Sequence, residues 1–192
     1  MKKQMKVIAF LSILSIILFS AFLISLPGKV PTEYSEGIGY HSSVCTYIVR
    51  EDGQMVDNGC SHNLLTNAGA NAIRDALTTD ATTVSFSYIG LCNASFGGDC
   101  NGTSVADESF YHEFPAGANG LNRTNEATFL PLGIGNWSYS RTFVAGEDNM
   151  VTNKTGIFNA TSGGTMLAVN TFTTSTLQTG DQITVNWSIW VA

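Results

Sequence analysis

The chain predicts a mainly β protein: an antiparallel β-sandwich or jelly roll with one short helix, preceded by an N-terminal apolar leader helix. Three observations carry that expectation. Period-two alternation recurs, most clearly in the last stretch, Gly180 to Ala192. There Ile183, Val185, Trp187, Ile189 and Val191 alternate with Thr184, Asn186, Ser188 and Trp190, as in a strand with one buried and one wet face. Charged residues make up only 12% of the 192 positions and apolar ones 44%. That is a core-sized apolar share with about half the usual charge, and Thr, Ser, Asn and Gly fill the difference. Finally, turn signals such as Asp52-Gly53 and Gly163-Gly164 punctuate the alternating runs.

At the N-terminus, Lys2, Lys3 and Lys6 precede an apolar run from Val7 to Leu26. A basic flank before such a run is an export signal, and 20 residues are enough to span a bilayer. The segment 1–28 therefore reads as a signal peptide or membrane anchor. Residues 29–43 are polar and irregular, a linker or arm, and 44–192 form the sandwich domain. The location expected is extracellular, at the cell surface. Membrane contact is expected during export or through residues 7–26. Beyond the leader, 6 basic residues face 15 acidic ones, which excludes the basic footprint of nucleic-acid binding.

Val44 to Asn58 reads as a hairpin about a two-residue type I′ turn at Asp52-Gly53. Counting outward from that turn places Cys45 opposite Cys60, in a hydrogen-bonded pair whose side chains are farther apart. A bulge at Asn58-Gly59 would relieve this. An exported chain uses cysteines as disulfides. Cys45–Cys60 with Cys92–Cys100 is the simplest pairing; 45–92 with 60–100 and 45–100 with 60–92 stay open. From His62 to Thr79 the period changes. Thr66 or Asn67 can cap a helix whose stripe is Ala70, Ile73, Ala76 and Leu77, expected to plug one end of the sandwich.

Strands return from Ala81, with Val84, Phe86 and Tyr88 alternating. Asn101 to Asn125 is a long polar connection. Further strands are expected at Glu126–Leu132, Trp137–Val144, Val151–Asn159, Thr165–Phe172 and Gln182–Val191. Acceptor sequons for N-linked glycans start at Asn93, Asn101, Asn122, Asn136, Asn153, Asn159 and Asn186.

No catalytic constellation emerges, and the protein is read as not an enzyme. His41, His62 and His112 show no metal-ligand spacing, and no GxSxG or phosphate-cradling loop occurs. The neighbouring acids Asp107-Glu108 and Glu147-Asp148 read as solvated loop charges. No cofactor is expected; Asp99-x-Asn101-Gly102 resembles part of a calcium loop, and the acidic loops offer oxygen ligands that would suit Ca2+.

Asn63-Leu64-Leu65-Thr66-Asn67-Ala68-Gly69, leading into Ile73-Arg74-Asp75, resembles the opening of small β-sandwich proteins from phage tails. Gly120-Leu121-Asn122-Arg123, Gly156 to Ala160, Gly163 to Ala168 and Gly180 to Val185 are similar to the rest of that pattern, in order. With its leader, sequons and cysteines, the chain resembles instead the exported jelly-roll filament subunits (pili or threads) of archaea. That resemblance implies a glycosylated homo-polymer assembled by donor-strand complementation. Lys29 to Val44 would be the donor arm, with Tyr34, Ile38 and Tyr40 as anchors. The alternatives are a membrane-anchored surface binding module or adhesin, and a phage or virus tail-like structural protein.

Overall fold

The structure, a computed structural model, describes residues 39–78, 85–96, 100, 102–110, 112–115, 120–123 and 127–191. The leader and residues 29–38 of the arm lie outside the described residues, as do Asp99 and Asn101. The described chain is mainly β. In order come β1 (Tyr40–Val49), β2 (Met55–His62), β3 (Leu64–Leu65), α1 (Asn67–Thr78) and β4 (Tyr88–Asn93). Then follow β5 (Thr128–Gly133), β6 (Asn136–Val144), β7 (Met150–Phe158), β8 (Met166–Leu177) and β9 (Gln182–Val191). They form two sheets, β2-β1-β9-β6-β5 and β3-β8-β7-β4, and every pairing is antiparallel.

The C-terminal stretch is the middle strand of the larger sheet, held by β1 on one side and β6 on the other. Its alternation decides its orientation: Ile183, Val185, Trp187 and Ile189 are fully buried. They meet Val44 and Ile48 from β1, Phe143 from β6, and Ile89, Leu91, Ile157 and Ala168 from the facing sheet. β1 begins at Tyr40, four residues before the expected domain boundary. Residues Tyr40–Val44, expected within the arm, belong to this sheet, because Ser42 and Val44 carry its inward parity.

The β1–β2 connection differs from the expected type I′ turn. Gly53 N–H donates to the Arg50 carbonyl and Arg50 N–H to the Gln54 carbonyl. The loop is thus three residues, Glu51 to Gly53, with Gly53 alone in the left-handed region. Near the loop Val49 faces Met55, one residue out of the register that a two-residue turn would set. An extra residue on β2 at Asn58-Gly59, with Gly59 at φ 78°, restores it and brings Cys45 opposite Cys60. The structure bonds Cys45 to Cys60 with Cα atoms 4.0 Å apart, and Cys92 to Cys100 at 5.7 Å.

Ala81 to Val84, where a strand is expected to begin, lie outside the described residues; from Ser85 on, the described strand is β4, starting at Tyr88. Ile89, Gly90, Leu91 and Cys92 are all buried, so this strand carries no alternation to read. Its outer face is covered by the polar connection. Phe110 from that connection packs with Cys92, Cys100, Phe158, Met166 and Val169 in a second, smaller core. One ion pair and one cation–π contact seat the connection on β7, and a second ion pair lies within the connection itself. Lys154 Nζ lies 3.0 Å from Asp107, and Arg123 Nε lies 2.9 Å from Glu113 with its guanidinium 3.7 Å over the Phe158 ring. Burial raises the Glu113 carboxyl above its ordinary value despite the Arg123 charge. At the rim, Asp181 accepts from Arg50 and from the backbone N–H groups of Glu51 and Gln178. Burial opposes ionisation there, but these bonds hold the carboxyl below its usual range.

Candidate functional site

The larger sheet is wider than its cover, and this leaves an apolar groove. On one side of the sandwich β2 closes onto β8. Asn58 donates to Ser175 Oγ at 3.0 Å, and Ser61 and Asn170 bond to each other. At the other end, Trp137, Tyr139 and Phe129 show their inward faces with Ile189 and Tyr40, and among the described residues no strand faces them. The groove holds about 790 Å³ and is lined almost wholly by carbon, within the size range of ligand and peptide clefts.

Helix α1 forms the far wall. Thr66 caps it: its Oγ1 accepts the Gly69 N–H at 2.9 Å. Its hydroxyl faces the Met166 and Leu167 carbonyls, and its own N–H donates to Leu167. Gly69 lets that turn lie against β8, since a Cβ there would strike the Leu167 carbonyl. The helix is therefore pinned by its first turn, and Gly69 is its one buried residue. Ala70, Ile73 and Leu77, at helical spacing, line the groove, and Leu77 is 71% exposed. The helix expected to plug the sandwich is instead one side of an open cleft: beyond its pinned first turn only Ala72 and Ile73 are half-buried, with Ile73 packed on the core.

Beside the groove runs β5, which pairs with β6 and with no second strand among the described residues. All six of its residues are exposed. Phe129 (54% exposed) reaches into the groove; Leu130, Leu132 and the turn residue Ile134 face solvent. Pro131 offers no N–H, consistent with an edge position. The stretch Phe129-Leu130-Pro131-Leu132 is apolar on both parities. That was the available sign of an exposed, partner-seeking strand, and it was read as an ordinary one. Tyr40, expected as an anchor of the donor arm, and Ile73 and Leu77, expected on the apolar stripe of a plugging helix, all line the groove.

The sequon asparagines scatter. Asn136 and Asn186 stand half-exposed on the outer face of the larger sheet. Asn93 ends β4, its Oδ1 accepting the Ser95 N–H. Asn122 is buried, at 7% exposure, with Nδ2 enclosed. Asn153 lies half-buried in β7 with its Oδ1 enclosed, and Asn159 Oδ1 accepts the Thr165 N–H at 2.7 Å. His41 and His62 line one small cleft beside Tyr40 and Asn63, where His41 stacks on Trp190 at 5.7 Å, while His112 stacks on Phe96 at 5.1 Å. Of the acids, Asp107 serves Lys154, and Asp148 accepts both the N–H and the hydroxyl of Thr179. Among the described residues no group of three or more His, Cys, Asp or Glu side chains could hold a metal ion. None of the described helices is long and apolar enough to cross a membrane. No protein-family model matches the chain, and no curated protein matches it significantly.

Proposed function

We propose that this chain is a non-enzymatic structural subunit of an extracellular, cell-surface filament, a homo-polymer built by strand addition. The observation that carries the reading is the groove together with the adjoining open edge of β5. An extended segment laid along β5 would gain backbone hydrogen bonds from the edge and send alternate side chains over Phe129 and Tyr139 toward Ile73 and Leu77. The occupant is the arm of a second copy. Tyr40 lines the groove's rim, and the chain preceding it carries Val30, Tyr34 and Ile38 as apolar anchors at a regular four-residue spacing. Since Tyr40–Val44 serve the subunit's own sheet, the donor is confined to 29–39. Two disulfides suit an oxidising compartment, in keeping with export.

Deletion of residues 29–38 from the exported protein tests this. Soluble, folded monomers without fibres under negative-stain microscopy are the expected result. Fibres that persist would remove the donor-arm mechanism. The groove's volume also favours a second reading, an anchored surface module binding an apolar ligand. Monomeric wild-type protein that co-purifies with a small apolar molecule would move the assignment there.

A further inference from the structure

The tripeptide Asn-Trp-Ser occurs twice, at 136–138 and 186–188, and the fold sets the two copies side by side. β6 and β9 pair so that Ser138 faces Ser188, Asn136 faces Trp190 and Ser140 faces Asn186. In both copies the tryptophan turns inward, Trp187 into the core and Trp137 into the groove. Asparagine and serine therefore share the outer face, where successive side chains alternate. Around Asn186 the neighbours are small, while Asn136 has the Trp190 ring opposite it, stacked on His41. Asn186 has Cys45 on one side and Ser140 on the other, and Ser43 lies opposite Ser188. Asn136 and Asn186 are offset by four residues along the strands, about 13 Å at ~3.3 Å per residue, which leaves room for a sugar on each.

From this arrangement we infer that Asn136 and Asn186 carry N-linked glycans in the folded protein, and that the outer face of the larger sheet is its sugar-bearing face. The donor is a lipid-linked phosphate or diphosphate oligosaccharide met during export. The asparagine Nδ2 bonds to the sugar's anomeric carbon as the carbon–oxygen bond to the lipid phosphate breaks. The amide loses one proton, and the lipid phosphate departs with the electron pair. Asn122 provides the internal contrast. Its sequon is equally good as sequence, but its Nδ2 is enclosed and has no space for a sugar. The inference is independent of the assembly reading, since the glycan face lies on the opposite side of the sheet from the groove.

Peptide mapping by mass spectrometry of the native protein, taken from the cells that export it, tests the inference. Peptides containing Asn136 and Asn186 should carry glycan mass in most molecules, and the Asn122 peptide should be bare. Intact mass then separates the sites. Ser138→Ala should remove one glycan, the same one lost in Asn136→Gln; Ser188→Ala should remove the other, the one lost in Asn186→Gln. Unmodified Asn136 and Asn186 in the native protein, or a glycan on Asn122, would overturn it. Should a variant fail to accumulate, the native map alone decides.

Discussion

Gly69 and Thr66 decide where the groove's helical wall stands. A methyl group at 69 would meet backbone, the Leu167 carbonyl, which cannot swing aside as a side chain could. Gly69→Ala should therefore destabilise by about 1–3 kcal/mol, read as a lower urea midpoint at unchanged slope, although alanine favours helices in general. Asp181 makes a second test. Its carboxylate is buried under three donors, and Asp181→Ala removes their shared acceptor while Arg50 keeps the Thr176 carbonyl, for a loss on the order of 1–3 kcal/mol at neutral pH. The pH dependence follows from the sign. The folded pKa is depressed, so the stabilisation is complete above the ordinary carboxylate value, about pH 4, and fades as pH falls through the folded value. Wild type and Asp181→Ala should converge in stability across that acid window. A gap that stays constant to the lowest pH would mean that the carboxylate's charge is not what the donors hold.

β9 and β5 show how the same alternation rule has opposite consequences by position. In β9 the inward residues Ile183, Val185, Trp187 and Ile189 are fully buried, whereas Val191, on the same face, is 37% exposed at the groove. Trp187→Ala should cost about 3–5 kcal/mol in chemical denaturation. In β5 the inward residues face an open groove, so truncation there should leave stability nearly unchanged and act on assembly. Phe129→Arg or Leu77→Glu should lower the melting temperature little, because both side chains are already more than half exposed, yet abolish fibre formation. Fibres from both variants would show that the groove is not the acceptor. The β1–β2 hairpin belongs with these elements. Its disulfide closes a 15-residue separation, and Cys45→Ser with Cys60→Ser should cost roughly 3 kcal/mol on the loop-entropy argument.

The molecule as a whole presents unlike faces. One sheet carries small hydroxyl and amide side chains outward, from Ser43 through Ser188 to Ser138. The other is covered on its outer side over β4 and β7 by the polar connection, through Phe110, Asp107 paired with Lys154, and Arg123 over the Phe158 ring. Between the sheets' ends lies the apolar groove, continuous with the exposed residues of β5. Assembly through the groove leaves the sugar-bearing face turned to solvent, so the two proposals are sterically compatible and fail separately.

Much of this was legible in the chain itself. Alternation in Gln182–Val191 assigns the buried face and Thr66 or Asn67 marks the helix start, whereas Cys45 meets Cys60 through a three-residue loop and an Asn58-Gly59 bulge that offset each other, not through the two-residue turn expected. These are local properties, since backbone period, capping and turn geometry act over a few residues. The β4 strand was misplaced because burial on both faces erases alternation. The groove was not legible either: Ile73, Leu77 and Phe129 carry the same apolar signal whether they meet a partner or open space. Which of them is covered depends on the relative width of two sheets and on the one turn by which a helix is pinned. Sequence alone determined which side of each regular strand turns inward; only the tertiary structure decided where something waits to cover it, because coverage is a relation between elements far apart in the chain.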